Sequence, residues 1–227
     1  WTTMCDPTPV NDSVFIDFEA GYNDTTLQSP GTNMRPIPCW ITGSKSKTAS
    51  QTNIPYVLKG TVAPAGEKSL KFHSTTSNNG AYAIMPAMDV DSITKYELSF
   101  LGRAVGGTTT SAPTYGELSS TYKGAIIVGV VTDPSDLSTF VGVDTVDLDD
   151  NAVHKCKVRF SSYKGDANDE YGKFVAFLSD FNSTNIFYVD NLSFAKIDPC
   201  GEPLSIGADS IGISDALIAW NGTTSSY

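Results

Sequence analysis

The stretch Ile186–Phe194, IFYVDNLSF, decides the fold. Read with a period of two, it places Ile186, Tyr188, Asp190, Leu192 and Phe194 on one face, so a carboxylate stands in an otherwise apolar row. An unpaired buried charge costs several kcal/mol, and Asp190 therefore requires a partner. Val14–Glu19, VFIDFE, supplies one from the other end of the domain. Val14, Ile16 and Phe18 make its apolar face, and Asp17 and Glu19 lie on the other. Two acidic strands at opposite ends of a β domain, brought side by side, predict a cation that holds the ends together.

The chain between them reads as a sandwich. Strands are expected at Lys68–His73, Ala81–Pro86, Lys95–Arg103, Ala125–Val131, Phe140–Leu148, His154–Phe160 and Tyr171–Ser179. Tyr82 and Ile84 share a face, as do Tyr96, Leu98 and Phe100, and then His154, Cys156, Val158 and Phe160. Ala125–Val131 is apolar on both faces, as a central strand is. Residues 20–66 form a long irregular stretch that short strands around Cys39–Thr42 and Tyr56–Lys59 break up. No helical periodicity exceeds two turns. About nine strands at this spacing predict an all-β fold: two antiparallel sheets face to face in a jelly-roll sandwich. Residues 1–13 read as a linker, 14–197 as the sandwich domain and 198–203 as a second linker. Residues 204–227 hold two strands' worth of apolar positions, too few for a core of their own.

The 227 residues include 40% hydrophobic and 11% aromatic side chains, enough to bury a full core. Only 18% are charged, and the net charge is −10. That balance argues against nucleic acid as a partner and against adsorption to anionic lipid. No apolar run approaches the ~20 residues of a membrane-spanning helix. No signal peptide precedes Trp1, so the sequence reads as a piece of a longer polypeptide. Four cysteines allow three pairings. Cys5 and Cys39 flank the first strand and are the favoured disulfide; four free thiols are the alternative, because spacing does not set redox state. Cys156 reads as a small buried hydrophobe.

The order of small motifs is informative. CDPTP, FIDFEAG and PIPCW come first, then EKSLKF, YAIMPAMDV and ELSFLGRA. IIVGVVTDPSDLSTFVGVDTV, VRFSSYKG, KFVAFLSD and IFYVDNLSFAKI follow. Over roughly Cys5 to Ile197 this resembles the jelly-roll modules of secreted bacterial surface proteins, including the gingipain-type cleaved adhesin domains. The opening FE and closing YVDNLSF are also similar to MAM-type modules. The resemblance implies a structural Ca²⁺ between first and last strands, with Glu19, Asp190 and Asp17 as side-chain ligands and backbone carbonyls near Gly66–Ser69 completing the shell. The competing reading has Glu19 and Asp190 bonded to backbone N–H groups or to a lysine. Pro203 to Trp220 looks like the first two strands of a fibronectin type III domain, an immunoglobulin-like fold that often alternates with such modules. Where the family has an aromatic residue, this chain has Cys156.

Catalytic patterns are missing from the sequence. His73 and His154 are the two histidines, and neither HExxH nor G-x-S-x-G occurs. Asp147, Asp149 and Asp150, like Asp166, Asp169 and Glu170, fall in polar turns. Sugar rings stack on aromatic faces, and Tyr56, Tyr115, Tyr122 and Tyr163 lie in or beside loops where they could serve. Trp40, Tyr82, Tyr96 and Tyr188 read as core. The expected function is non-catalytic: an adhesion or carbohydrate-binding module of a secreted or cell-surface protein. Its partners would be a glycan or a host surface protein, beside fibronectin type III-like neighbours in the same chain. A ligand-free structural spacer and a polysaccharide-degrading enzyme on a β-sandwich are the alternatives.

Overall fold

In the computed structural model the described residues are 5–21, 37–45, 54–60, 63–74, 80–104, 124–165, 174–179 and 185–198, with the backbone of 205–211 and 216–221. The chain divides into two units, Trp1–Ala195 and Lys196–Tyr227.

The first unit is all-β. Its strands are β1 (Thr8–Pro9), β2 (Ser13–Ile16), β3 (Ile41–Ser44), β4 (Tyr56–Lys59), β5 (Lys68–Ser74), β6 (Ala81–Ile84) and β7 (Met88–Asp89). They continue with β8 (Tyr96–Ala104), β9 (Gly124–Val131), β10 (Phe140–Leu148), β11 (His154–Arg159), β12 (Phe174–Ser179) and β13 (Asn185–Lys196). One sheet runs β10-β9-β12-β6-β3. The other runs β11-β8-β13-β5-β4, with β2 also on β13. Among the described residues the strand pairings within both sheets are antiparallel. A short parallel pair, β1 with β7, stands apart from them.

The core lies between the sheets because each strand turns alternate apolar residues inward. Tyr96, Leu98 and Phe100 of β8 are buried beside Ile126, Val128 and Val130 of β9. Across the gap, the Phe177 ring of β12 meets Phe72 of β5 at 6.0 Å and Phe100 edge-on at 5.6 Å. Cys156 is a free buried thiol in this core. Burial raises its pKa to about 11. Cys5 and Cys39 are bonded, with Cα atoms 5.4 Å apart, and so tie the leading segment to the turn ahead of β3.

Strand β13 departs from simple alternation. Phe187 and Val189 face the core, while Ile186 and Tyr188 lie on the outer side with Leu58 and Tyr56. Leu192 and Phe194 then return to the core. The parity changes at Asp190–Asn191, where Asn191 has a φ of 47°. Asparagine tolerates this left-handed conformation better than most residues do. The single apolar row expected through residues 186–194 is therefore two half-rows on opposite faces. The switch coincides with a change of neighbour. Asn185–Val189 pair with β5, and Leu192–Ala195 pair with β2. Ser99 Oγ of β8 lies 3.5 Å from the Ser193 carbonyl, so β8 takes the other edge. β2 thus ends and β5 begins on one edge of β13, opposite Asp190.

The second unit shows an antiparallel hairpin of β14 (Ser205–Ile211) and β15 (Ala216–Asn221), with Ile206 opposite Trp220.

Candidate functional site

The gap between β2 and β5 gathers three distant segments. β2 stops at Ile16, short of the Val14–Glu19 strand expected from alternation, because the chain turns at Phe18, whose φ is 58°. Asp17 Oδ1 accepts the Glu19 N–H at 3.1 Å and holds that turn. Phe18 still packs inward, with its ring 5.8 Å from buried Trp40. Glu19 is sent toward the segment that enters β5. Its Oε1 accepts the N–H groups of Glu67 at 2.6 Å and Lys68 at 3.0 Å, and Lys68 Nζ donates to the Glu19 carbonyl at 2.8 Å. Gly66 makes this approach possible. Its φ is 53°, and a Cβ there would lie 2.8 Å from the Glu19 carboxyl carbon.

Asp190 closes the gap from the third side. It is fully buried, Oδ2 accepts the Ala65 N–H at 3.0 Å, and Oδ1 accepts the Asn191 N–H at 2.8 Å. Burial is the first cause that raises its pKa from 3.8 to about 6, and the charges of Glu19 and Asp17 push the same way against the two N–H bonds. Glu19 and Asp190 are therefore joined through the Ala65–Lys68 backbone. Among the described residues no three His, Cys, Asp or Glu side chains gather closely enough to hold a metal by themselves. The charge pattern nevertheless fits a cation. Two neighbouring carboxylates raise Asp190, while the nearby Lys68 ammonium donates to the Glu19 carbonyl. The donors are hard oxygens, which suit calcium. Sequence reasoning places the Gly66–Ser69 backbone at this site through its carbonyls; the contacts seen here are instead made by the N–H groups of Ala65, Glu67 and Lys68.

The loop tyrosines fare differently. Tyr163 is buried in the core, so it offers no face to a ligand. Tyr56 is half-buried on β4. Tyr115 and Tyr122 lie outside the described residues. Tyr82, read from the sequence as core, instead stands on the outer face of the five-stranded sheet. It shares that face with Ile84, Val131 and Ala176 and with the partly buried Ile41, Leu137, Phe140 and Phe174. Gly43 of β3 is opposite Tyr82, and a Cβ there would lie 2.9 Å from Tyr82 Cε1. A Cβ on Gly129 would likewise lie 2.8 Å from the Phe140 ring. Both rings therefore reach over a neighbouring strand where a glycine leaves room, and both residues stay partly exposed. His154 pairs with Asp150 at 2.6 Å in an exposed contact on the edge strand β11.

No family model matches the chain, and no curated protein matches it. Solved structures do. The K2 cleaved adhesin domain of Lys-gingipain is 11% identical, with a TM-score of 0.50 over 81% of this chain and 99% of that one. The K3 cleaved adhesin domain of Lys-gingipain from Porphyromonas gingivalis W83 is 12% identical, with a TM-score of 0.48 over 81% and 96%. A family 11 carbohydrate-binding module from Clostridium thermocellum, solved with a β-1,3-1,4-mixed-linked tetrasaccharide, is 13% identical, with a TM-score of 0.43 over 82% and 96%. At such identities a likeness speaks to fold alone, and the chain has the β-sandwich fold of the K2 adhesin domain.

Proposed function

We propose that this chain is a non-catalytic adhesion module of a secreted or cell-surface protein, binding glycan through the outer face of its five-stranded sheet. The observation that carries the reading is the set of partly buried rings, Tyr82, Phe140 and Phe174, on that face. A sugar's C–H face is apolar and stacks on such rings, while its hydroxyls remain in water. The K2 adhesin fold supports an adhesive role by analogy only. A structural Ca²⁺ held by Asp190, Glu19 and Asp17 would offset the buried charge and clamp β2 to β13. The hairpin of the second unit would open a fibronectin type III-like neighbour. Among the described residues no helix is long and apolar enough to cross a membrane.

A glycan array with wild type and Tyr82→Ala tests the binding. Signal on neutral glycans that falls about five- to tenfold in the variant is expected, since loss of one stacked ring costs on the order of 1 kcal/mol. An array that is flat for the wild type would overturn it. For the ion, calcium should raise the melting temperature by several degrees through preferential binding to the folded state; an unchanged melt would refute it.

A further inference from the structure

The outer face of the six-stranded sheet carries a second cluster, on the opposite side of the sandwich from the aromatic face. Lys71 lies between two tyrosines in register, Tyr56 on β4 and Tyr188 on β13. It is 8% exposed. Its Nζ stands 5.7 Å from the centroid of the Tyr56 ring and 3.5 Å from the Tyr56 hydroxyl. No carboxylate among the described residues pairs with it. The carboxylate that follows Val189 on β13, Asp190, is turned onto the Ala65 and Asn191 N–H groups. His73 follows two residues along the same face, opposite Ile186, and is half-buried. One step the other way, the Ser69 hydroxyl is fully buried with no hydrogen-bond partner among the described residues.

The cluster is thus an ammonium, an imidazole and hydroxyls on one strand face, in a protein whose net charge is −10. An ammonium taken this far out of water is ordinarily paired. Burial lowers Lys71, and burial first and then the Lys71 charge lower His73 to about 4. A negative group placed between them would reverse both effects. Leu58, Ile186 and Tyr188 are closed off from solvent, whereas Tyr56 and His73 remain partly open.

We propose that Lys71 and His73, with the Tyr56 hydroxyl, form an oxyanion subsite that takes a sulfate or carboxylate group carried on an acidic saccharide. The subsite stands on its own geometry; that a saccharide carries the anion rests on the adhesive reading above. Lys71 supplies the charge and up to three donors, and protonated His73 donates a further N–H. The bulk of the surface repels polyanions, so binding of one would be local.

Proton NMR tests this directly, because His73 and His154 are the only imidazoles and His154→Gln assigns them. Inorganic sulfate and acetate, each compared with chloride at equal ionic strength, should raise the His73 midpoint from about 4 toward its ordinary 6.5 in a saturable way. Lys71→Met, which keeps the apolar stem, should abolish the response. Tyr56→Phe, a gentler change, should weaken it. No response in the wild type to either anion would overturn the subsite, and so would a response that survives Lys71→Met. Retention on dextran sulfate but not on dextran, lost in Lys71→Met, is expected for a saccharide-borne group. Binding of inorganic sulfate without retention on dextran sulfate would overturn the saccharide assignment. None of these results depends on Tyr82, so loss of neutral-glycan binding leaves the oxyanion outcome independent.

Discussion

Replacing Asp190 with asparagine isolates the energetics of the β2–β13 junction. The wild-type carboxyl has its pKa raised from 3.8 to about 6, mainly by burial. The folded state therefore favours the protonated form. Its stabilising effect is complete below the unfolded value near 3.8 and is lost as the pH rises through about 6. That shift corresponds to about 3 kcal/mol between the two ends of the window. Asparagine cannot titrate, but it offers one acceptor oxygen where two N–H groups, of Ala65 and Asn191, each need one. The variant should lose roughly 1–3 kcal/mol at every pH for the N–H left facing an amide. In calcium-free buffer, the wild type should thus exceed Asp190→Asn in stability at about pH 4, with the difference shrinking toward zero or reversing by about pH 7. Urea unfolding of both proteins across that window measures the difference, and taking the difference cancels the other titrating groups. A difference that is flat with pH would refute the buried-charge argument. In saturating calcium the decline should vanish for the wild type, whereas Asp190→Asn, which has no carboxylate there to titrate or to ligate, should respond little to the ion. A hundredfold excess over the dissociation constant adds about 2.7 kcal/mol.

Gly66→Ala should destabilise by roughly 2–4 kcal/mol in thermal or urea unfolding, from left-handed strain plus displacement of the Glu19 carboxylate; a change within about 0.5 kcal/mol would count against the clamp. Reducing Cys5–Cys39, which closes a loop with a sequence separation of 34, should cost about 3–4 kcal/mol and lower the urea midpoint, and an unshifted midpoint would contradict this. Phe177→Ala removes the ring between Phe72 and Phe100 and should cost about 3–5 kcal/mol, measured the same way.

Much of this architecture could be read from alternation. β5 and β8 bury the residues that period two assigns inward, and the pairing of β2 with β13 follows from the acidic ends of the domain. The parity switch at Asn191 was not legible. A left-handed asparagine within a strand looks like any other polar residue, and Leu192 and Phe194 continue the apolar pattern on either reading. Tyr82 was misplaced for a related reason. In AYAIM both faces are apolar, so alternation does not say which one meets the core; the glycine opposite Tyr82 is visible only once β3 and β6 are paired. The Glu19 contacts span 48 and 49 residues to backbone N–H groups, which carry no side-chain signature.

The disulfide has a mechanical consequence. Tension applied to the polypeptide ahead of Cys5 passes through the sulfur bridge to Cys39 and enters the five-stranded sheet at β3. It leaves through β13, in the other sheet. β2 and the Glu19 turn lie between the two bridged cysteines, off that path. A pull on a surface-tethered molecule would therefore strain the sandwich across its two layers, while the ribbon that carries Asp17 and Glu19 stays unstretched.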